Sequence, residues 1–160
     1  MESRECLPGS CAQASLGRDL YGCRVQVLDR AASSGQADVL VAFHVNEAYR
    51  ARFPVGYQRY LDWAHDSGYS SRYIGSMVAD VHRILVKGGV FLYPPTADHS
   101  EGKIRLMYEA NPLAMIIEQA GGKAYAGTQP LLEIHPETLH QRTPVIMGSP
   151  VEVDHVLSHL

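Results

Sequence analysis

Residues 72–122 read RYIGSMVADVHRILVKGGVFLYPPTADHSEGKIRLMYEANPLAMIIEQAGG, and this stretch decides the fold class. Apolar residues recur at helical spacing from Gly75 to Lys87, and Gly88 is available as a left-handed residue to end that helix. The apolar runs at 90–93 and 104–108 predict short strands. The predicted buried face of the helix consists of Met77, Val78, Val81, Ile84 and Leu85.

A second helix is predicted to start at Asn111 and Pro112. The asparagine side chain can accept an unpaired backbone N–H, and proline has no N–H to lose in the first turn. We expect this helix to end at Gly121 and Gly122. Because that glycine pair follows a helix instead of opening one, it is not a phosphate-binding loop.

The flanking regions continue the alternation of helices and strands. Residues 38–45, 123–126 and 144–148 read as strands, and a helix starting at Pro54 should bury Tyr57, Tyr60, Leu61 and Ala64. Ser149-Pro150-Val151-Glu152 has the pattern of a capping box that opens a final helix. Alternating helices and short strands favour a layered α/β domain. Residues 21–28 are the one convincing strand pattern within residues 1–36, a segment that stays unassigned.

Length and charge exclude several classes of function. A chain of 160 residues suits one α/β domain and can bury roughly 70% of the surface of its unfolded chain. The net charge of −3 gives no overall attraction to nucleic acid or to anionic membranes. The odd number and irregular spacing of Cys6, Cys11 and Cys23 favour free thiols. With no apolar run long enough for a bilayer, we expect a cytoplasmic protein.

Four motifs together indicate a known family. Residues 75–83 read GSMVADVHR, residues 91–94 read FLYP, residues 108–112 read YEANP and residues 119–122 read QAGG. In this order they resemble class 1 fructose-1,6-bisphosphatase, and the resemblance covers residues 37–160. It implies a layered mixed sheet with flanking helices, as in the C-terminal domain of that family. The acidic metal-binding segments that the family carries upstream have no match in residues 1–36, so we expect the chain to correspond to the C-terminal half.

The resemblance assigns a phosphate clamp to five residues. In the family, the positions that match Asn46, Tyr49, Tyr73, Tyr93 and Lys103 hold the 6-phosphate of the sugar and neighbouring sugar oxygens. A phosphate without a metal needs converging hydroxyls, amides and cations, and these side chains supply them. Taken without the family, the residues leave another interpretation open: Tyr73 and Tyr93 would be half-buried core aromatics and Lys103 a solvated lysine.

Two charged residues receive further roles from the resemblance. The family arginine that matches Arg72 reaches across a subunit interface into the neighbouring site, where a guanidinium can bind phosphate through two hydrogen bonds. The carboxylate that matches Glu109 ligates catalytic Mg²⁺. From the residues alone, Arg72 could equally form an ion pair within the chain, and Glu109 could be an acid favoured by the start of a helix.

Several function hypotheses follow from the resemblance. The first is Mg²⁺-dependent hydrolysis of fructose 1,6-bisphosphate to fructose 6-phosphate and phosphate, by a homo-oligomer that is a tetramer in the family; a sedoheptulose-bisphosphatase is a related alternative. The other is a catalytically silent domain that binds sugar phosphate or associates with full-length subunits. Because one carboxylate is not a metal site, we expect negligible turnover from this chain alone. We also expect apolar surface that promotes association.

The remaining polar residues predict structural roles. His155 and His159 lie four positions apart on the last predicted helix, where we expect an exposed pair. His135 and His140 flank a turn and should be solvated. Within the helix at 75–87, Asp80 and His82 are expected to make structural hydrogen bonds instead of acting in acid–base chemistry.

Overall fold

A computed structural model describes residues 41–160. The strand predicted at 21–28, the first three residues of the strand predicted at 38–45, and the three cysteines lie outside the described residues. Within 41–160, no helix is both long and apolar enough to cross a bilayer.

The described residues form a mixed sheet with flanking helices, which confirms the predicted α/β class. In chain order, the elements are β1 (Ala42–His44), α1 (Val55–Asp66), β2 (Ser70–Arg72), α2 (Met77–Lys87), β3 (Val90–Tyr93), β4 (Ile104–Arg105), α3 (Asn111–Gln119), β5 (Lys123–Ala126), β6 (Gln129–Pro130), β7 (Arg142–Thr143), β8 (Val145–Gly148) and α4 (Pro150–His159). Short 3₁₀ helices occupy Glu47–Arg52 and Leu131–Glu133, and a π-helical turn occupies Leu106–Ala110.

Six strands form the main sheet, in the order β2-β1-β3-β8-β5-β6. Strand β1 runs parallel to both β2 and β3, whereas β8 is antiparallel to β3 and β5, and β6 is antiparallel to β5. Strands β4 and β7 form a separate antiparallel pair. The parallel trio is the part of the sheet that positions the candidate site described below.

Both faces of the main sheet are covered by helices. Phe91 and Met147 pack against α2 and α3, while the neighbouring Leu92 and Ile146 pack against α1 and α4. Successive residues of a strand point to opposite faces, so a strand covered on both sides must be apolar throughout. This explains why β3 and β8 read as continuous apolar runs.

Helix α1 agrees with its prediction, since it starts after Pro54 and buries Tyr57, Tyr60, Leu61 and Ala64. Helix α2 also forms, and Gly88 ends it with a φ of 78°. The predicted burial of Val78 was wrong, because this side chain is 66% exposed. Asp80 is buried instead, and it bonds to His44. Residues two positions apart lie about 200° apart around a helix, so turning Asp80 inward turns Val78 outward.

The strand predicted at 104–108 is wrong beyond Arg105. The chain enters the π-helical turn at Leu106, whose N–H donates to the carbonyl of Gln141 at 2.8 Å, and both Leu106 and Ala110 are buried. Asn111 is therefore already helical and does not cap α3 with its side chain. The helix is reached through the preceding turn, which explains why an N-terminal asparagine cap is not used.

The final helix α4 begins at Pro150 as predicted, but the expected capping box does not form. Ser149 makes no side-chain cap hydrogen bond to α4. Its hydroxyl instead accepts the N–H of Gly89 at 3.1 Å, and its own N–H donates to the carbonyl of Gly89 at 2.9 Å. The serine thus joins the end of β8 to the turn that precedes β3.

We predict that Gly89→Ala strongly destabilises the fold. Its φ is +119°, and an added Cβ would lie 2.2 Å from the carbonyl oxygen of Ala42, so β1 and β3 would be forced apart. We expect urea unfolding to show a loss of at least about 3 kcal/mol in the free energy of unfolding. Gly127→Ala is the control, because its φ of +60° is also positive but nothing lies within 4 Å of an added Cβ. That variant should lose only about 1 kcal/mol, and equal losses in the two variants would contradict the prediction.

Candidate functional site

Four of the five predicted clamp residues line one open pocket. Asn46, Tyr49, Tyr93 and Lys103 line a depression that is partly open to solvent. Asn46 lies two residues beyond β1, and Tyr93 is the last residue of β3. Because these strands are parallel, the chain leaves both of them at the same edge of the sheet. Ligands of open α/β sheets typically bind outside the carboxyl ends of the strands.

Asn46 also builds the segment that carries Tyr49. Its Oδ1 accepts the N–H of Ala48 at 3.2 Å and caps the 3₁₀ helix Glu47–Arg52. With the amide oxygen used as the cap, the amide NH₂ is the donor that an anion in the pocket would meet. One residue therefore both starts the helix and supplies a donor.

Two cations lie close to the ring of Tyr49. The Nζ atom of Lys103 is 5.4 Å from the ring centroid, and the Cζ atom of Arg52 is 5.8 Å from it. Arg52 also forms an ion pair with Asp98 at 2.9 Å. These contacts hold positive charge beside an aromatic face and a phenol group, an arrangement that suits an anionic ligand.

Lys103 is positioned by the glycine that precedes it. Gly102 has a φ of +77°, and a Cβ added there would lie 2.4 Å from the backbone of Thr143 and Pro144. The loop can approach the β7–β8 connection this closely only with glycine. On the other side, the carbonyl of Lys103 accepts a hydrogen bond from the guanidinium of Arg142 at 3.1 Å.

Tyr73 does not line the pocket, although it affects the environment of Tyr93. Burial raises the pKa of the Tyr93 phenol, and Tyr73, Tyr49 and Glu109 raise it further. Tyr73 itself lies just beyond β2 and is 43% exposed. Tyr73 therefore lies outside the apolar core of the described residues, whereas Tyr93 is partly buried and packs against that core.

Arg72 ends β2, which is the edge strand of the sheet, and its side chain is exposed. It pairs in register with His44 on β1. Among residues 41–160, no ion pair with Arg72 is present.

Glu109 lies in the π-helical turn, with its carboxylate facing Arg105. One carboxylate oxygen accepts the N–H of Arg105 at 2.7 Å, and the other accepts from its guanidinium at 3.2 Å. In the part of the chain that the structure describes, no group of three or more His, Cys, Asp and Glu side chains could hold a metal ion. A hard cation prefers oxygen ligands of the kind that Glu109 offers.

A buried polar pair adjoins the clamp. His44 and Asp80 are both fully buried, and His44 Nδ1 lies 2.7 Å from Asp80 Oδ1. Arg83 approaches His44 Nε2 at 3.3 Å. Burial lowers the pKa of His44, while Asp80 opposes that change and the nearby arginines favour it. A neutral ring that donates from Nδ1 to Asp80 and accepts at Nε2 from Arg83 satisfies both contacts.

Asp80 thus has the structural hydrogen bonding predicted for it, whereas His82 is exposed. His135 and His140 are exposed as predicted, and His140 Nδ1 lies 2.8 Å from the hydroxyl of Tyr108. The expected exposure of the α4 histidine pair was wrong. His155 stacks on Trp63 with 4.6 Å between ring centroids, and His159 lies 5.6 Å from the same ring.

The pocket contains polar residues that the sequence did not single out: Arg52, Thr96, Asp98 and His99. The last three belong to a turn closed by two backbone hydrogen bonds between Thr96 and His99, at 2.9 and 3.1 Å. The sequence signal that could have indicated these three residues was a polar turn between the end of β3 and Lys103. Nothing in the residue pattern indicated that Arg52, at the end of the 3₁₀ helix, would also line the pocket.

Comparisons with known proteins agree with the motifs. The protein-family model of the fructose-1-6-bisphosphatase C-terminal domain matches residues 37–160. A class 1 fructose-1,6-bisphosphatase of Synechococcus sp. (strain JA-2-3B'a(2-13)) is 53% identical over 116 residues, which cover 72% of this chain and 35% of the relative. The mouse isozyme 2 is 50% identical over 121 residues, covering 72% and 36%.

A solved structure gives the same result. The holo form of Leishmania major fructose-1,6-bisphosphatase matches with a TM-score of 0.71 and 47% identity, over 74% of this chain and 37% of that chain. The chain therefore spans about a third of the length of the curated relatives it matches.

We predict that His44 makes stability depend on pH. Because burial holds its folded-state pKa below the ordinary 6.5, an unfolded chain binds a proton near pH 6.5 that the folded chain does not. The free energy of unfolding should therefore fall as the pH drops below 6.5, by at most about 1.4 kcal/mol per pH unit. Urea unfolding between pH 7.5 and 5 measures this slope. It should become shallower in His44→Gln and stay unchanged in the exposed control His82→Gln, and equal slopes in parent and His44→Gln would contradict the prediction.

Proposed function

Because the chain belongs to the fructose-1,6-bisphosphatase family, as a carrier of its C-terminal domain, we propose that residues 41–160 bind the phosphate of a sugar phosphate. The reaction served would be Mg²⁺-dependent hydrolysis of fructose 1,6-bisphosphate to fructose 6-phosphate and phosphate. The observation that carries this proposal is the convergence of Asn46, Tyr49, Tyr93 and Lys103 on one pocket.

The chemistry of that pocket suits a phosphate that stays bound while another phosphate reacts. A phosphate monoester carries about two negative charges and has several acceptor oxygens. Lys103 and Arg52 would supply charge, and the amide of Asn46 and the phenols of Tyr49 and Tyr93 would donate hydrogen bonds. Tyrosine donates from a stiff side chain, which limits the entropy lost when the ligand is ordered.

Two further residues would complete the site from outside the pocket wall. Tyr73 influences the pKa of Tyr93, which supports a place near the same ligand. Arg72 projects from an edge strand and is exposed, which suits a role across a subunit interface in a homo-oligomer such as a tetramer. Exposed apolar residues that follow Arg72 in the sequence, Ile74 and Val78, would favour such an association.

The metal would meet this chain at Glu109. Its carboxylate is a hard oxygen donor and fits Mg²⁺, but both oxygens accept hydrogen bonds from Arg105. When bound, the metal supplies charge neutralisation on the reacting phosphate and activates water. We propose that Glu109 is one ligand, held in orientation by Arg105, and that further ligands come from segments outside residues 41–160.

The pairing of Glu109 with Arg105 also favours a second candidate function, a sugar-phosphate-binding domain without activity of its own. Measurement of phosphate release from fructose 1,6-bisphosphate in the presence of magnesium separates the two. Robust turnover that Glu109→Gln abolishes would exclude the silent domain.

For the binding proposal, we predict that Lys103→Ala weakens the binding of fructose 6-phosphate by about tenfold or more, because a charge-assisted hydrogen bond contributes roughly 1.5–3 kcal/mol. Isothermal titration calorimetry measures the affinity. Lys87→Ala is the matched control, since this lysine is exposed at the end of α2, away from the pocket. Equal affinities of the parent and Lys103→Ala, or no binding by the parent, would contradict the proposal.

A further inference from the structure

The segment Arg72–Tyr73 lies where the chain leaves the sheet. The parallel pairing of β2 with β1 ends at Arg72, which is opposite His44. Tyr73 and Ile74 follow without strand pairing, and Gly75 has a φ of +83° that any side chain would strain. Something other than the strand ladder must therefore set the direction in which Tyr73 leaves the sheet.

One side-chain contact fixes the chain just before this segment, at Ser71. The carboxylate of Glu47 accepts a hydrogen bond from the hydroxyl of Ser71 and lies 2.8 Å from His65 Nε2. Burial alone would raise the pKa of Glu47, but the hydrogen bonds with Ser71 and His65 lower it, so the carboxylate is ionised at neutral pH. Glu47 follows Asn46 directly, so this contact ties β2 to the segment that carries the first clamp residue.

A second side-chain contact fixes the chain just after the segment, at Ile74. Asp80 Oδ1 accepts the N–H of Ile74 at 3.3 Å and lies 2.7 Å from His44 Nδ1. Asp80 and His44 are fully buried, so they offer a fixed reference point within the fold. His44 is two residues before Asn46, and this contact therefore ties the backbone beyond Tyr73 to the same strand from which Asn46 emerges.

We propose that Glu47 and Asp80 are positioning residues that bracket Arg72–Tyr73 and set their place relative to Asn46 and Tyr49. Glu47 acts through Ser71, and Asp80 acts through the N–H of Ile74 with its own orientation fixed by His44. The role in ligand binding rests on the proposed phosphate clamp. The placement of Tyr73 and Ile74 does not rest on that clamp, because the hydrogen bonds to Glu47 and to Asp80 both form within the ligand-free chain.

The placement is tested by amide hydrogen exchange in the ligand-free chain. Asp80→Ala should speed the exchange of the Ile74 amide by about tenfold or more, because it removes the carboxylate that accepts this N–H. Asp80→Asn keeps an acceptor oxygen and should restore most of the protection. Unchanged Ile74 exchange in a folded Asp80→Ala chain would overturn the proposal.

The effect on binding is tested by calorimetry with fructose 6-phosphate in a double-mutant cycle. If Asp80 acts through the position of Tyr73, Asp80→Ala should cost about tenfold in affinity in the parent and about twofold or less in a Tyr73→Phe background. A general structural defect would cost the same in both, and that result would overturn the proposal. A parent chain that binds no fructose 6-phosphate refutes the proposed function, and hydrogen exchange then decides the placement.

The contact between Ser71 and Glu47 can be tested with a matched pair of variants that do not disturb the core. Ser71→Ala removes the exposed hydroxyl that donates a hydrogen bond to Glu47. Ser70→Ala makes the same change one residue earlier, at a hydroxyl that has no side-chain hydrogen bond among residues 41–160. We expect Ser71→Ala to speed exchange of the Ile74 amide, whose N–H donates to Asp80, by about threefold, because the lost hydrogen bond loosens the chain that precedes it. Ser70→Ala should leave it unchanged. If Asp80→Ala fails to fold, this pair carries the test, and identical exchange in the two serine variants would overturn the proposal.

Discussion

The parallel alignment of β1, β2 and β3 is the constraint on which the candidate site depends. Parallel strands end at the same edge of a sheet, so the chain leaving each of them reaches one region of the surface. Asn46 follows β1, Tyr73 follows β2 and Tyr93 ends β3. Residues almost fifty positions apart in sequence are thereby brought together by the sheet, and the loop carrying Lys103 covers the same edge.

A buried polar contact between His44 and Asp80 joins the parallel trio to α2. A buried carboxylate is costly unless hydrogen bonds and charge compensate for the lost hydration. Asp80 receives a hydrogen bond from His44 and one from the Ile74 N–H, and the guanidinium of Arg83 lies on the far side of the imidazole. The compensation comes from β1, from α2 and from the chain beyond β2. The buried pair therefore joins the elements that carry the clamp.

The sequence predicted the regular elements well where one physical signal dominated. The helical spacing of Tyr57, Tyr60 and Leu61 located α1, and the continuous apolar run at 90–93 located β3. The errors occurred where a distant partner changed a local preference. Val78 is exposed because Asp80 turns inward to His44, and Ser149 bonds to Gly89 instead of capping its own helix. Spacing along the chain contains no information about such partners.

The candidate site was predictable to a similar degree. The family motifs supplied the clamp residues, and four of the five share a pocket, while Tyr73 stands beside it. Arg52, which lies over the ring of Tyr49, was missed because its place depends on how the 3₁₀ helix is capped. The pairing of Glu109 with Arg105 depends on a π-helical turn that replaces a predicted strand. Both features arise from backbone geometry that side-chain patterns do not specify.

The central claim is that this pocket recognises the phosphate of a sugar phosphate. A two-dimensional NMR titration of the chain with fructose 6-phosphate, and in parallel with fructose, tests it most directly. We expect saturable shifts of the amides at 46–49, 93–96 and 102–103 with fructose 6-phosphate, and at least tenfold weaker binding of fructose, because charge-assisted contacts to the phosphate would be lost. Saturable shifts elsewhere in the domain, or equal affinities for the two ligands, would contradict the claim.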